Sequence, residues 1–201
     1  MSARLSAVTI AGLALLILGA GHDDNVEWNG VSHIGWLDRS PLCPISGQSF
    51  TVRFQTYHYD ITSARVNVDT GGPTWLTASV VENRGPYDIW AATIPASSPT
   101  GTLTYYVELT DGTATDYLGP GGMSHSPPAS GWTLDFSTLS HAPLGATLTT
   151  DGGAVLRVWS PGAPTAYVAG QFNGWNQTSL PMTKNGDYFT RKVAAPVSRN
   201  Q

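Results

Sequence analysis

Apolar and polar side chains alternate in short segments along most of this chain, which is the pattern of β-strands with two distinct faces. In residues 48–59, for example, Phe50, Val52 and Phe54 fall on one face of an extended chain, and the polar residues between them fall on the other. Strands at this spacing, separated by turn residues, are typical of a β-sandwich. The pattern predicts strands before residue 119 at 48–59, 61–68, 75–81, 87–94, 102–109 and 114–118.

The same alternation returns after a break in the chain. Residues 119–131 are rich in Gly, Pro and Ser and have no apolar period, so we interpret them as a linker or long loop. A second group of strands is predicted to start at Trp132 and to include residues 155–159, where apolar and polar positions alternate again. The pattern therefore predicts two β-rich modules in tandem.

Composition favours an all-β chain with many turns, in agreement with two β-sandwiches in tandem. Charged residues make up only 12% of the 201 residues, whereas the chain has 22 Gly and 14 Pro and no long run of helix formers. A weak internal repeat adds to this, because Tyr87 and Pro95 recur about 100 residues later as Tyr188 and Pro196.

Comparison of the two copies of this repeat indicates that the second sandwich is incomplete at its C-terminus and lacks one or two strands. We therefore interpret the chain as the N-terminal fragment of a longer protein. The predicted domains are a signal peptide (1–21), a first sandwich (22–118), a linker (119–131) and a truncated second module (132–201).

The first residues have the pattern of a secretory signal peptide. Arg4 supplies a positive charge, residues 7–18 are apolar, and the small residues at 19–21 suit a cleavage site. The apolar run is short for a membrane span. A buried first strand or helix is the alternative. We expect the mature protein to be secreted, either to the periplasm or outside the cell, and to have no membrane contact after cleavage.

The charge and the reactive residues argue against several functions. A net charge of −4 disfavours nucleic acid as a partner. Cys43 is the only cysteine, which excludes an intramolecular disulfide and a cysteine-based zinc cluster. The five histidines lack the spacing of metal ligands, so no metal or other cofactor is expected. The acidic residues fall mostly beside turns or on polar strand faces, and we predict no catalytic residue in this chain.

Several short motifs in the second module resemble carbohydrate-binding module family 48, the isoamylase N-terminal domain. This module is immunoglobulin-like and precedes the catalytic barrel in enzymes of glycoside hydrolase family 13. The resemblance depends on the order and spacing of four motifs, which are RVWSPGA (157–163), GQFNGWN (170–176), LPM (180–182) and GDYF (186–189).

The first module resembles the immunoglobulin-like N-terminal domain of neopullulanases and maltogenic amylases, carbohydrate-binding module family 34. This likeness is one of strand pattern more than of motif. It covers residues 60–66, 75–80, 87–95 and 103–112.

Together the resemblances imply the non-catalytic N-terminal region of a secreted α-glucan-acting enzyme, such as a branching enzyme or an α-amylase. The implied partners are an α-glucan of the starch or glycogen type and the protein's own C-terminal catalytic barrel. Two alternatives remain open at this stage. One is a pair of structural β-sandwiches without affinity for sugar, and the other is a secreted or cell-surface adhesion protein.

The best candidate for sugar binding is the turn that carries Trp175. Asn173 and Gly174 are predicted to occupy the positive-φ positions of this turn, with Trp175 at its rim. Indole rings stack on the apolar C–H face of a pyranose, and amides bond its hydroxyl groups. The resemblance makes Trp175 a stacking residue, and its neighbours Asn173, Asn176 and Gln171 are the candidate polar ligands. Packing of Trp175 at a domain interface is the alternative.

Overall fold

The computed structural model describes residues 25–96 and 101–197, and almost all regular structure in these ranges is antiparallel β-strand. The predicted all-β class is thereby confirmed. The predicted signal peptide lies outside the described residues. Within those ranges, no helix has the length and apolar character needed to cross a membrane.

The strands vary in length from two to ten residues. In chain order they are β1 (Arg39–Ser40), β2 (Phe50–Tyr57), β3 (Ser63–Asp69), β4 (Pro73–Thr77), β5 (Ser79–Arg84), β6 (Tyr87–Ile94), β7 (Thr102–Asp111), β8 (Ala114–Gly119), β9 (Gly122–Ser124), β10 (Trp132–Asp135), β11 (Gly145–Leu148), β12 (Ala154–Trp159), β13 (Thr183–Asn185) and β14 (Tyr188–Val193). Two 3-10 helices, Trp28–Gly30 and Gln171–Asn173, complete the regular structure.

The first ten strands form two sheets that share one core. One sheet has the order β1-β2-β6-β5, and the other has the order β4-β3-β7-β8-β9, with β10 also paired to β7. Alternate side chains of β2 and β6 meet alternate side chains of β3 and β7 in a single buried cluster, which includes Phe54, Trp90, Val66 and Tyr105. Burial on one face only explains the period-2 pattern of the sequence.

The predicted strand at 75–81 is two strands that belong to different sheets. β4 pairs with β3 in the larger sheet, whereas β5 pairs with β6 in the smaller one. The chain changes sheet at Ala78, which is buried and donates its N–H to the carbonyl of Ala64 at 2.9 Å. A small side chain suits this crossing because it lies inside the core.

The segment that follows β8 also differs from the prediction. Residues 122–124 of the predicted linker form β9, which pairs with β8. Trp132, the predicted start of the second module, lies in β10 and pairs with Tyr105 of β7. Gly131 permits this approach, because a Cβ at that position would lie 2.4 Å from the carbonyl oxygen of Tyr105. This strand therefore belongs to the larger sheet of the first sandwich.

The last four strands form a third sheet with the order β11-β12-β14-β13. Val155 on β12 joins this sheet to the first sandwich through a small buried cluster with Cys43, Ile45, Leu139 and Ala142. Large apolar side chains stay exposed on this sheet, namely Leu148, Val158, Trp159 and Tyr188. Within the described ranges, the predicted second module thus contributes one four-stranded sheet.

Candidate functional site

The candidate turn is part of a loop whose two ends are tied together. Tyr167 forms an isolated bridge with Pro181, and the N–H of Val168 donates to the carbonyl of Leu180 at 2.9 Å. The N–H of Met182 donates to the carbonyl of Ala166 at 2.9 Å. Residues 168–180 therefore project as a closed loop, which we call the residue-175 loop.

Asn173 holds the interior of this loop together. Its Oδ1 accepts the N–H of Gly170 at 2.9 Å. Its Nδ2 donates to the carbonyls of Val168 (3.0 Å) and Asn176 (2.9 Å) and to Oγ of Ser179 (3.1 Å). The side chain that sequence reasoning offered as a sugar ligand is thus engaged within the loop, where it positions the backbone around Trp175.

Asn176 makes a second set of contacts on the far side of the turn. Its Oδ1 accepts hydrogen bonds from the N–H and hydroxyl of Thr178, at 2.9 and 3.1 Å, and from the N–H of Ser179 at 3.1 Å. Its Nδ2 group makes no hydrogen bond to any described residue. Gln171 is exposed, and its side-chain amide likewise has no partner in the described ranges. These two amides retain donors for a ligand.

Trp175 projects from the top of the loop. Gly174 has φ 62° and Trp175 has φ 60°, while Asn173 is the last residue of the 3-10 helix. The positive-φ pair is therefore Gly174 and Trp175, one residue later than predicted. A left-handed conformation is uncommon for a bulky side chain. It persists here because the Asn173 hydrogen bonds and a 2.8 Å bond from the N–H of Trp175 to the carbonyl of Gly170 fix the backbone.

The ring of Trp175 is 63% exposed, although burying an indole is normally favourable. Lys184, on the neighbouring strand β13, donates from Nζ to the carbonyl of Ala163 at 2.6 Å. The loop thus presents one large exposed ring and two amides that retain donors, and the ammonium group of Lys184 is already engaged. This arrangement suits an uncharged ligand that has both an apolar face and hydroxyl groups.

The other tryptophans are in different surroundings. Trp90 is buried and donates from Nε1 to Oγ1 of Thr56 at 3.0 Å, which places it in the core. Trp28 donates from Nε1 to Oδ2 of Asp116 at 2.7 Å. Trp75 is partly exposed, with the guanidinium of Arg65 4.4 Å from its ring centroid. Trp159, which the sequence did not assign, is exposed on the third sheet.

Sequence reasoning missed one concave site. A cavity lies between the first sandwich and the third sheet, and its walls include Trp36, Trp132, Arg39 and Arg157. Arg39 and Arg157 lie far apart in the sequence, and no motif unites them. Because these residues are distant and unevenly spaced along the chain, no local sequence pattern marks the site, and only the tertiary structure reveals it.

Comparison with known protein families supports the resemblance seen in the motifs. The family model for carbohydrate-binding module 48 (isoamylase N-terminal domain) matches residues 143–201, which include the third sheet and the residue-175 loop. The resemblance of this part of the chain to that family is confirmed.

Individual matches each cover a small part of the matched protein. A 1,4-alpha-glucan-branching enzyme of Aspergillus oryzae (strain ATCC 42149 / RIB 40) is 43% identical over 53 residues, which are 26% of this chain and 8% of that enzyme. Among solved structures, a cyclomaltodextrinase is 13% identical with a TM-score of 0.45, over 71% of this chain and 26% of the other. The cycloalternan-forming enzyme of Listeria monocytogenes is 16% identical with a TM-score of 0.41, over 64% and 12%.

Proposed function

We propose that this chain is the non-catalytic N-terminal region of a secreted α-glucan-acting enzyme of glycoside hydrolase family 13. In this proposal the residue-175 loop binds starch- or glycogen-like chains. The observation that carries it is the conformation of Trp175, whose ring is 63% exposed on a backbone held at φ 60°. An exposed ring on a strained backbone has a cost in stability, and such costs concentrate at functional sites.

The chemistry of binding follows from the groups that the loop leaves free. A pyranose presents axial C–H bonds on one face, and these stack on the indole of Trp175. The amides of Gln171 and Asn176 lie beside the ring in sequence and donate to sugar hydroxyls. Asn173 acts as a positioning residue, because its donors already bond within the loop. A single stacking platform supports weak binding, which a second glucan site on the same protein, in the catalytic barrel, would strengthen through avidity.

The proposal includes export and a catalytic partner. Residues 1–21 would direct secretion and then be removed, as their charged and apolar segments indicate. Catalysis would reside in a barrel outside this chain. The match to a branching enzyme supports this proposal, because branching acts on 1,4-α-glucan chains and binding such chains near the barrel raises their local concentration.

A separate observation supports a second function, which is to support the catalytic barrel. Leu148, Val158, Trp159 and Tyr188 leave a cluster of large apolar side chains exposed on the third sheet. Surfaces of this kind mark protein contacts. The barrel would cover this surface, and the residue-175 loop would then lie beside it.

Affinity electrophoresis of the purified chain in gels with and without glycogen tests glucan binding. Trp175→Ala is the test variant. Trp159→Ala is the matched control, because its indole is similarly exposed (57%) and lies on strand β12, outside the residue-175 loop. We expect glycogen to retard the wild type and the Trp159→Ala control. Trp175→Ala should bind at least about ten times more weakly, which corresponds to about 1.4 kcal/mol.

Circular dichroism first establishes that all three proteins are folded. Failure of glycogen to retard the folded wild-type chain would refute binding by the residue-175 loop and favour the support function. Equal loss of retardation in both tryptophan variants would show that the third sheet as a whole, and not the loop, contacts the glucan.

A further inference from the structure

The cavity between the first sandwich and the third sheet has a volume of about 590 Å³. This volume lies within the range of about 300–1,000 Å³ that is typical of small-molecule sites. Its walls come from distant parts of the chain, which are the segment before β1, β1 itself, β10, residues 140–144 and β12. We call it the arginine cavity.

Two indoles form apolar walls of the arginine cavity. Trp36 is 57% exposed and lines the cavity, so its side chain is accessible to a ligand. Trp132 is held from behind, because its ring centroid lies 5.5 Å from that of Tyr105 and 4.5 Å from that of His33 in an edge-to-face contact. These rings supply the flat apolar surfaces on which a pyranose stacks.

Two guanidinium groups of the cavity lining converge on one loop. Nη2 of Arg39 donates to the carbonyl of His141 at 3.0 Å, and Nη1 of Arg157 donates to the carbonyl of Ala142 at 3.1 Å. These acceptors are consecutive residues, so the two side chains reach the same point of the backbone. The Nε atoms of both arginines are buried and have no hydrogen-bond partner in the described ranges.

Neither arginine has an acidic partner among the described residues. Arg39 is only 5% exposed, and burial lowers the pKa of its guanidinium from the ordinary value. Asp38, its neighbour in sequence, uses its carboxylate to accept the N–H of Ile34 at 2.6 Å. A buried cation without a counter-ion destabilises a protein, and an anion placed beside it offsets that cost.

The histidine of the arginine cavity adds no charge at neutral pH. Burial is the main cause that lowers the pKa of His141 to about 4. Its two ring nitrogens face the carbonyls of Asp135 and Pro44, each at 3.0 Å. The positive charge of the cavity therefore comes from the guanidinium groups of Arg39 and Arg157.

We propose that the arginine cavity binds a phosphorylated hexose. A phosphate ester carries a charge of about −1.5 to −2 near neutral pH, which two guanidinium groups neutralise. Arginine matches phosphate oxygens through paired N–H donors. The hexose ring stacks on Trp36, and the cavity has room for both parts. The ligand is either a free sugar phosphate or a phosphorylated glucose unit within a glucan chain.

Isothermal titration calorimetry on the 201-residue chain tests this inference with defined probes. The probes are glucose 6-phosphate, glucose 1-phosphate, glucose and inorganic phosphate. We expect at least one of the glucose phosphates to bind ten or more times tighter than glucose and inorganic phosphate, and to bind more weakly as salt increases. Equal binding of glucose and both glucose phosphates would overturn the role of the arginines, and equal binding of inorganic phosphate would overturn the role of the hexose.

Variants locate the site. Arg157→Gln and Trp36→Ala should each weaken binding of the preferred glucose phosphate at least ten-fold. Arg84→Gln is the matched control, since this exposed arginine pairs with Glu82 on the surface and should bind as the wild type does. Arg39→Gln is a further variant. If this substitution of a buried residue prevents folding, Arg157→Gln and Trp36→Ala still decide the test. Equal weakening in Arg84→Gln would overturn the assignment to this cavity.

Two further measurements separate the sources and the sites. If the chain binds a phosphorylated amylopectin, and phosphatase treatment of the amylopectin abolishes this binding, the polymer is a ligand. If the chain binds only free glucose phosphate, the ligand is a small metabolite. Trp175→Ala should retain glucose phosphate binding even when it loses glycogen binding. Loss of glucose phosphate binding in Trp175→Ala would overturn a separate site, so this inference and the proposed function fail or succeed independently.

Discussion

The first sandwich and the third sheet bury their apolar side chains to different extents. In the sandwich, two sheets enclose one large cluster of buried residues from six of the ten strands. The third sheet contributes Val155 alone to a small cluster shared with the sandwich, and its other buried apolar residues belong to neither cluster, namely Ala154, Phe189 and Val193. The third sheet instead exposes Trp159 and Tyr188, and its loop exposes Trp175. The difference indicates that stability is concentrated in the sandwich, while the surfaces suited to recognition lie on the third sheet and at its border.

The largest expected effect is a cavity in the sandwich core. Phe54 is almost completely buried, and its ring is nearly parallel to that of Trp90, with centroids 6.4 Å apart. Phe54→Ala should lower the free energy of unfolding by about 3–5 kcal/mol, because it removes transfer energy and leaves a cavity. Urea denaturation followed by circular dichroism measures this.

Trp159→Ala is the control for the comparison, since it removes an aromatic ring that is exposed on the third sheet. We expect it to change the free energy of unfolding by less than about 0.5 kcal/mol. Equal losses in Phe54→Ala and Trp159→Ala would contradict the contrast between the two regions.

The second-largest effect is expected from acid, which should destabilise the contact between the sandwich and the third sheet. Burial lowers the pKa of His141 to about 4 in the folded chain, against about 6.5 when unfolded. Between these values the unfolded state binds the additional proton, so stability is retained above pH 6.5 and falls as the pH drops towards 4. The loss attributable to His141 should reach roughly 2–3 kcal/mol. Denaturation midpoints measured from pH 7 to pH 4 give this value.

His141→Gln separates this histidine from others that titrate in the same range. Burial also lowers the pKa of His33, so His33 too reduces stability as the pH falls. Asp135, with a pKa of about 2, affects stability only at lower pH. The variant should have a flatter stability profile between pH 6.5 and 4. An unchanged slope in the variant would show that His141 does not protonate on unfolding.

A smaller effect is expected at the contact between the third sheet and the sandwich. Val155 is fully buried there with Cys43 and Ala142. Val155→Ala removes two carbons at about 0.8 kcal/mol each, so the free energy of unfolding should fall by about 1.5–2 kcal/mol. Denaturant titration measures it, and Val158→Ala on the exposed part of the same strand is the control. A loss below about 0.5 kcal/mol would indicate that the third sheet unfolds separately from the sandwich.

Most strands could be predicted from the sequence, because one-sided burial imposes alternation directly. The strand at 87–94 was predicted with its observed bounds. The change of sheet at Ala78 could not be predicted, since both halves of that segment are extended and only their partners differ. The pairing of β10 with β7 was missed for the same reason. Local patterns determine that a segment is a strand, but pairing depends on distant residues.

The candidate site could likewise be predicted only in part. The motif around Trp175 identified the exposed ring from sequence alone. Local propensity, however, favoured Asn173 and Gly174 for the positive-φ positions, because Asn and Gly tolerate that conformation. The side chain of Asn173 instead bonds to residues on both sides of the turn, which moves the left-handed pair to Gly174 and Trp175. Side-chain hydrogen bonds within the loop overrode the propensity of the dipeptide.

Substitution of Trp175 is expected to change stability least and glycogen binding most. At φ 60°, glycine lacks the steric penalty that a Cβ has, but it also makes the unfolded chain more flexible. Trp175→Gly should therefore leave stability unchanged or raise it by up to about 1 kcal/mol, while glycogen no longer retards the protein. Trp175→Ala, which keeps the penalty, should match the wild type in stability. Thermal denaturation and affinity electrophoresis on the same samples make the measurement. A loss of more than 1 kcal/mol in Trp175→Gly would show that the indole is a packing residue, and the strain at this position would then have no function in binding.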